Sequence, residues 1–488
     1  MKLRELIASL PYPAELIVGD DRMDTDITAL CTDSRKVGPG ALFFCIPGTK
    51  VDGHTFAQKA MESGAAALVV QRGLELDIPQ VLVGDARSAL GYMASAFAGH
   101  PSRGMKLIGL TGTKGKTTTS YLIKSALEAA GEKVGLIGTV CCMIGDEILP
   151  AGLTTPDPLV LEALLSKMRE ARCGYVVMEV SAHAIDMHRL DGLHFAAAAF
   201  TNFSQDHLDY FGTMKNYFDA KLRFFTEGMT DAAAYNADDA EVAKGFERAG
   251  IEALRVGIRS NADLYAKDIE IGERGSNFKL TCHKRFTVPV SLRLSGIFNV
   301  YNALTAAALC TLCGVAPEAI SAGLNAVRAV PGRVELLDTN TPYRMILDYA
   351  HSPDSLENIL KSLRETTKGR LIALFGCGGN RDAQKRPIMG RIGGELADFC
   401  VLTSDNPRYE DPNEILLEVE TGTKETGCPY IVIENRREAI LWAMKHAQPG
   451  DCVVLAGKGH ETYQEIKGVK YPFDEKVVVA ELLKEMKE

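Results

Sequence analysis

The apolar run Lys106–Leu110 is followed by Thr111, Gly112, Thr113, Lys114, Gly115, Lys116, Thr117, Thr118 and Thr119. This grouping suits phosphate chemistry. Gly112 and Gly115 let backbone amides turn toward an anion, and Lys116 offers an ammonium to the β- and γ-phosphates of a nucleotide. The Thr117 hydroxyl can ligate Mg²⁺, and the N-terminus of a following helix adds partial positive charge. The GxxxxGK[ST] pattern is incomplete, because its first glycine would fall at Leu110. The alternative is a Gly-rich turn with a surface lysine. A strand before, two glycines within, and the approximately helical spacing of Tyr121, Ile123, Ala126, Leu127 and Ala130 after favour the phosphate loop.

Downstream, Tyr-Val-Val-Met-Glu-Val puts Glu179 near the end of a buried strand, where a charge is costly unless paired or metal-bound. Glu179 reads as a metal ligand, with a salt-bridged strand end as the alternative. His183 reads equally as a surface histidine or a participant. In Phe-Ser-Gln-Asp-His-Leu-Asp, the residues Asp206, His207 and Asp209 crowd one loop, which fits Mg²⁺ and nucleotide work or a capped helix start. Lys221 lies in an aromatic and apolar helix, and on residue type alone it reads as a snorkelling surface lysine.

Four later loops each follow an apolar run. They carry Asp348 and His351; Arg381 and Asp382; Asp405, Asn406, Pro407 and Arg408; and Gly457, Lys458, His460 and Glu461. One such loop is unremarkable, but four on one sheet edge make a site. Arg381 and Arg408 suit bidentate carboxylate binding, and Glu461 can hold an ammonium, so a zwitterionic, amino-acid-like ligand is expected.

The elements that must position these groups follow from the same runs. KLIGL, YVVMEV, AAAAF, RMILDY, LIALF, FCVLT and CVVLA are nearly continuous apolar stretches separated by helical patterns. Such strands are buried on both faces of a mostly parallel sheet, so the fold class is α/β, with ligands beyond the strands' carboxyl ends. A chain of 488 residues suggests about three domains. The turn-rich joints GHPSRG and VPGRVE divide it at 1–100, 101–333 and 334–488. A net charge of −9 argues against a dedicated nucleic-acid binder. No apolar run is long enough for a membrane span and the N-terminus is too polar for a signal peptide, so a cytoplasmic protein is expected. The twelve cysteines show no framework spacing, and Cys310 and Cys313 read as buried thiols on a helix.

The motifs TGTKGKTTT, MEVSAH, TNFSQDHLDYFG, SGIFNVYNALTAAA, PGRVE, DYAHSPDSL and GCGGNRDAQKRP, with the Lys221 helix, resemble the Mur ligase family in content and order. The likeness spans essentially the whole chain. The resemblance implies a small uridine-nucleotide domain, a central ATPase domain of P-loop type and a Rossmann-like C-terminal domain. It implies that Thr113 to Thr119 hold ATP phosphates, and that Asn302, Arg333 and Asp348 contact the nucleotide. Glu179 and His207 would bind Mg²⁺. Lys221 would carry CO₂ as a carbamate that helps fix a second Mg²⁺, which reverses its reading as a surface residue. Ser34, Thr154, Thr155, Ser181 and Arg189, with Lys221, would hold a UDP-muramoyl dipeptide. Met187 and Ala182 depart from the family pattern, where Gln and Ser are common.

The loop Asp405–Arg408 resembles the diaminopimelate-adding type within the family. The reaction it implies is ATP-dependent addition of meso-2,6-diaminopimelate to UDP-N-acetylmuramoyl-L-alanyl-D-glutamate through an acyl phosphate, by a monomer with small-molecule substrates, no nucleic-acid partner and no membrane insertion. The rivals are the same ligase using L-lysine, a folylpolyglutamate-synthetase-like ligase, a P-loop ATPase or kinase, and a nucleotide-binding scaffold with a decayed site.

Overall fold

The computed structural model describes residues 1–18, 22–48, 51–259 and 262–486. The apolar runs become strands of three α/β sheets, which make up three units along the chain. The first sheet is ordered Glu15–Val18, Gln80–Leu82, Ala65–Val70, Ala41–Phe44, Ala29–Cys31, parallel except for the first pair.

The second sheet has eleven strands. In its parallel centre, Lys106–Thr111 lies between Ala197–Phe200 and Tyr175–Glu179, with Leu110 opposite Glu179 and Thr111 opposite Phe200. Three loops therefore leave side by side at the carboxyl ends of neighbouring strands. Antiparallel hairpins extend the sheet on both sides, Leu264–Gly272 to Phe286–Leu292 on one and Cys141–Ile144 with Glu147–Pro150 on the other. One face is covered by the helices Lys116–Ala129 and Ile297–Leu312. The other is packed by Phe195, Phe200, Phe218, Phe224, Phe225 and Phe246. Cys310 is buried on the second of those helices, as its apolar surroundings indicated, whereas Cys313 caps the helix end and is only half-buried; both are free thiols.

The helix Met214–Thr226 corrects the surface reading of Lys221. Tyr217, Lys221, Phe224 and Phe225 recur at helical spacing and share the buried face. Lys221 keeps 1% exposure. It is enclosed by the aromatic residues whose neighbourhood had suggested a stem lying along the surface.

The third sheet runs Glu335–Leu336, Arg344–Asp348, Cys452–Ala456, Leu371–Phe375, Phe399–Leu402, Tyr430–Val432, parallel after its first pair. Its order places the late strand Cys452–Ala456 between two earlier ones. The carboxyl ends of four strands thus share one edge. Among the described residues no helix is long and apolar enough to cross a membrane.

The first two units are joined by buried polar contacts. Ser88 Oγ donates to Asp191 at 2.6 Å. Gly91 packs so tightly there that a Cβ would lie 2.6 Å from the Asp191 carbonyl oxygen. Nearby, burial raises the Glu162 carboxyl from 4.5 to about 7, against a hydrogen bond from Ser95 that lowers it. Its Oε2 has no hydrogen-bond partner among the described residues. Below pH 4.5 the group is protonated whether folded or unfolded. As pH rises toward 7 the unfolded chain ionises first, so stability falls across that window and stays lower above it. Glu162→Gln should therefore stabilise the protein at pH 8 by about 1–3 kcal/mol and leave it nearly unchanged at pH 4. Denaturant melts at the two pH values measure this.

Candidate active site

The loop after Lys106–Thr111 turns at Gly112 (φ +137°) and Gly115 (φ +84°). A Cβ at Gly112 would meet Thr201 Oγ1 at 2.0 Å, and one at Gly115 would meet Asn302 Oδ1 at 2.4 Å. Both positions thus require glycine for space as well as conformation. Lys116 opens the helix Lys116–Ala129 and folds back, donating to the carbonyls of Gly112 at 2.8 Å and Thr113 at 3.1 Å. Burial draws its pKa down to about 8, with the Glu179 charge opposing. Thr118 and Thr119 are buried in the first turn, and Thr119 Oγ1 donates to Asn302 Oδ1 at 3.4 Å.

The loop is pinned by residues whose role the sequence did not single out. Asn202 Oδ1 accepts from the Lys114 amide at 2.8 Å and its Nδ2 donates to the Lys114 carbonyl at 3.0 Å. Thr201 Oγ1 donates to that same carbonyl at 2.6 Å. The signal was the Thr-Asn pair directly after an apolar strand, in register beside the glycine loop. Asn202→Ala removes two hydrogen bonds that fix the loop. Affinity for ADP should fall by on the order of tenfold, taking about 1 kcal/mol for each lost bond and partial compensation by water. Calorimetric titration with ADP checks it.

Glu179 is buried and its carboxylate is fully engaged. Oε2 accepts from Thr117 Oγ1 at 3.1 Å and Thr139 Oγ1 at 2.9 Å, and Oε1 accepts from the Thr139 amide at 3.0 Å. Among the described residues it forms no ion pair within salt-bridge distance, so the salt-bridged alternative is not what these residues show. Glu179 and Thr117 form an oxygen-rich corner at the phosphate loop. Among the described residues no group of three or more His, Cys, Asp or Glu side chains gathers there. That donor set suits Mg²⁺, which commonly takes one or two protein oxygens and fills the rest of its shell with phosphate and water.

Lys221 Nζ donates to the Gly112 carbonyl at 3.0 Å and stands 4.6 Å from the centre of the Tyr217 ring. The buried Lys221 and the half-buried Lys116 therefore converge on one carbonyl oxygen. Burial, then the charge of Lys116, holds the Lys221 pKa well below 10.5. Among the described residues no carboxylate forms an ion pair with it. His207 sits on the neighbouring loop in a left-handed conformation (φ +54°). Its ring lies edge-on to His183 at 4.8 Å and to Tyr217 at 5.9 Å. Asp206 lies 3.4 Å from Lys114 Nζ, whereas Asp209 is exposed in the short helix Leu208–Phe211.

A second group surrounds the far side of Glu179. Thr155 Oγ1 donates to the Glu179 carbonyl at 2.8 Å and accepts from the Ser181 amide at 3.0 Å. Arg189 donates to the Thr155 carbonyl at 2.9 Å and pairs with Asp157 at 3.0 Å. Thr154 and Thr139 hydroxyls are 3.0 Å apart. Met187 Sδ lies 3.6 Å from Arg189 Nη2, and Ala182 is buried behind Ser181. Ser34 is half-buried in a turn of the first unit, apart from this group's hydrogen bonds.

The joint at Arg333 and, beyond it, the third unit both meet the phosphate loop. Arg333 Nη2 donates to Thr117 Oγ1 at 3.3 Å and its guanidinium lies 5.1 Å from the Tyr349 ring centre. Lys114 Nζ reaches Ser352 Oγ at 3.3 Å. Asp348 Oδ2 accepts from the Val334 amide at 2.7 Å, and burial raises its pKa against the pull of Arg333. His351 donates from Nδ1 to the Tyr349 carbonyl at 2.8 Å, and the rings of Tyr349 and His460 are 4.8 Å apart.

The loops after Phe399–Leu402 and Cys452–Ala456 come together. Asn406 Nδ2 donates to Glu461 at 2.8 Å, and the fully buried Lys458 donates to Asn406 Oδ1 at 3.1 Å. Arg408, at φ +52°, donates from Nη1 to the Gly379 carbonyl at 2.8 Å and lies 3.6 Å from Glu465. A Cβ at Gly379 would meet the Pro407 carbonyl oxygen at 2.0 Å, so this Gly-rich turn must lack side chains to pack there. Arg381 and Asp382 are exposed on the same turn, and no bond among the described residues joins Arg381 to Arg408. Gly457 turns at φ +119°, where a Cβ would lie 3.2 Å from Asp405 Oδ2.

Family models match along the chain: a Mur ligase family catalytic domain at 26–98, a Mur ligase middle domain at 110–310, and a Mur ligase glutamate ligase domain at 332–459. A UDP-N-acetylmuramoyl-L-alanyl-D-glutamate–2,6-diaminopimelate ligase 1 from Clostridium acetobutylicum is 44% identical over 491 residues, covering 100% of both chains. The ligase of that name from Bacillus velezensis is 42% identical over 100% of this chain and 99% of its own. A solved structure of a UDP-N-acetylmuramoyl-L-alanyl-D-glutamate–2,6-diaminopimelate ligase superposes with a TM-score of 0.73 at 31% identity, covering 100% of this chain and 99% of the other.

Proposed function

Since the chain belongs to the Mur ligase family, we propose that it joins meso-2,6-diaminopimelate to UDP-N-acetylmuramoyl-L-alanyl-D-glutamate with cleavage of ATP, a step of peptidoglycan synthesis. The observation that carries this reading is that the phosphate loop is hydrogen-bonded to the loop after Arg344–Asp348, on the same sheet edge that carries the loops Asp405–Arg408 and Gly457–Glu461. Lys114 to Ser352 is that bond, and Arg333 adds a second to Thr117. A phosphatase-like or kinase-like ATPase has no use for the last two loops. The division at residues 100 and 333 belongs to the same reading, with the dipeptide nucleotide taken by the first unit, ATP by the second and the amino acid by the third.

In this mechanism the D-glutamyl carboxylate attacks the γ-phosphorus of ATP, the bond to the β-phosphate oxygen breaks, and ADP leaves with an acyl phosphate formed. The amine of diaminopimelate then attacks the acyl carbon, phosphate departs and a proton is lost as the amide forms. The residues from Gly112 to Thr119 seat the phosphates, with Lys116 drawn off its loop carbonyls toward the β- and γ-oxygens. Asn302, Arg333 and Asp348 frame the nucleotide. Thr154, Thr155, Ser181, Arg189 and Ser34 orient the UDP-muramoyl dipeptide. Thr117, Glu179 and His207 would hold Mg²⁺, which when bound neutralises the charge crowded between carboxylate and triphosphate. A carbamate on Lys221 completes that set in this reading. It is supported by a buried amine that, among the described residues, forms no ion pair with a carboxylate, and by a second ammonium that shares its carbonyl; burial and that charge outweigh the opposing pull of Asp206 and favour the neutral, CO₂-reactive form. Arg381, Arg408, Asp405 to Pro407, Gly457 and Glu461 would receive the amino acid.

The test is phosphate release from ATP with UDP-N-acetylmuramoyl-L-Ala-D-Glu, with and without meso-diaminopimelate or L-lysine. Release requiring the dipeptide and diaminopimelate together is expected. Release with lysine alone would keep the ligase and discard the diaminopimelate assignment, and release indifferent to any amino acid would return the protein to the ATPases. Positional isotope exchange in ATP, dependent on the dipeptide, checks the acyl phosphate.

A further inference from the structure

Behind the amino-acid pocket lies a buried set of charges that the mechanism above does not use. Arg436, at the start of the helix Arg436–His446, is 1% exposed. Its Nε donates to Glu475 Oε1 at 2.8 Å, and both side chains of that pair are fully enclosed. The rest of the guanidinium faces the third sheet. Nη2 donates to the Ala456 carbonyl at 2.9 Å and Nη1 to the Ser404 carbonyl at 3.4 Å. Ala456 ends the strand Cys452–Ala456 and Ser404 lies in the loop just beyond Phe399–Leu402, strands that are not neighbours because Leu371–Phe375 lies between them. Arg436 therefore ties two strand ends across an intervening strand, at the points where the loops Asp405–Arg408 and Gly457–Glu461 depart.

Lys458 repeats the connection one layer further out. Its Nζ donates to Asn406 Oδ1 at 3.1 Å and Glu461 Oε2 at 3.3 Å, and lies 3.5 Å from Asp405 Oδ1. Asn406 Oδ1 also accepts from the Glu465 amide at 2.9 Å. Two buried cations thus fix the separation of two loops that each supply one side of the pocket. Burial of a charge is costly, and apolar packing would join two loops more cheaply, so a fixed geometry is what this arrangement adds.

We propose that Arg436 and Lys458 are positioning residues for the acceptor amino acid: they set the span between Arg408 and Glu461 and so determine which amino acid fits. Neither touches the amino acid itself. The inference rests on the ligase reading of the pocket. A shift of about 1 Å in a positioned group lowers the rate on the order of a hundredfold, and a pocket read by its two ends is sensitive to their separation.

The test compares steady-state kinetics of Lys458→Met, Lys458→Arg and the double variant Arg436→Met/Glu475→Met with the wild type, on the full chain. The double variant removes both members of the buried pair, so that no lone charge is left behind. The expected result for Lys458→Met and the double variant is a rise in KM for meso-diaminopimelate on the order of tenfold or more. KM for ATP and for the dipeptide nucleotide should stay near wild type, and preference for diaminopimelate over L-lysine should narrow. Lys458→Arg, which keeps the charge, should recover part of the selectivity. Equal losses toward all three substrates, or an unchanged KM for diaminopimelate in folded variants, would overturn the proposal. Should a methionine variant fail to fold, Lys458→Gln, which keeps a donor without the charge, takes its place, and wild-type selectivity with wild-type KM for diaminopimelate there would also overturn the proposal. A wild-type enzyme without diaminopimelate-dependent release would instead overturn the ligase reading itself.

Discussion

Lys221→Met is expected to lower kcat by about 10²–10³-fold, the scale seen when one preorganised electrostatic group is removed from an active site. The fold should survive the change. Lys221 is enclosed by Tyr217 and the Phe224 helix face, and among the described residues its Nζ is bonded only to the Gly112 carbonyl while facing Lys116. Methionine fills a similar volume without the charge. Lys221 forms no ion pair among the described residues and burial already disfavours its charged form, so methionine breaks no charge pair and the thermal midpoint should stay or rise. Lost turnover with retained stability separates a chemical role from a packing role. A carbamate adds a further signature. The neutral amine forms an N–C bond to CO₂, one C=O electron pair moves to oxygen, and a proton leaves, turning a neutral site into an anionic one. Wild-type turnover should then fall in buffers stripped of CO₂ and return with bicarbonate, and ¹³C-bicarbonate should give a carbamate resonance absent from Lys221→Met. A variant with wild-type kcat would end both the carbamate and the catalytic placement of this lysine.

Lys221 also marks where the sequence was legible and where it was not. The α/β class followed from strands apolar on both faces, because only sheets covered by helices bury such runs. The phosphate loop was legible because its glycines and lysine are adjacent in the chain. Four loops on one edge of the third sheet followed from parallel strands, which send every carboxyl end the same way. Lys221 was misread from residue type, although Tyr217, Phe224 and Phe225 shared its face at helical spacing. Asn202, Thr139 and Arg436 were not singled out. Each acts on a residue distant in the chain, Lys114, Glu179 and Ala456 respectively, and no local pattern encodes such a partner. Register between strands supplies it, and register is set by the whole sheet.

Arg408→Met should cut kcat/KM for meso-diaminopimelate by on the order of 10²–10³-fold while changing that for L-lysine little. Truncating one partner of a desolvated charge pair costs about 2–5 kcal/mol, whereas lysine brings no distal carboxylate to lose. Arg408 is already held in place. Nη1 donates to the Gly379 carbonyl at 2.8 Å and Nε lies 3.6 Å from Glu465, so little side-chain freedom remains to be lost on binding. The choice of methionine matters because the backbone here is left-handed, at φ +52°. Glycine would relieve about 1 kcal/mol of backbone strain and mix a stabilising effect with the loss of the guanidinium. Methionine keeps the strain and the stem and removes only the charged fork. Lysine at 408 keeps the charge without the fork, so Arg408→Lys should fall between the two if planar, two-point contact contributes to recognition. Equal losses for diaminopimelate and lysine would mean that Arg408 supports the loop rather than reading the distal carboxylate, and selectivity would then have to arise from Arg381 or Glu461.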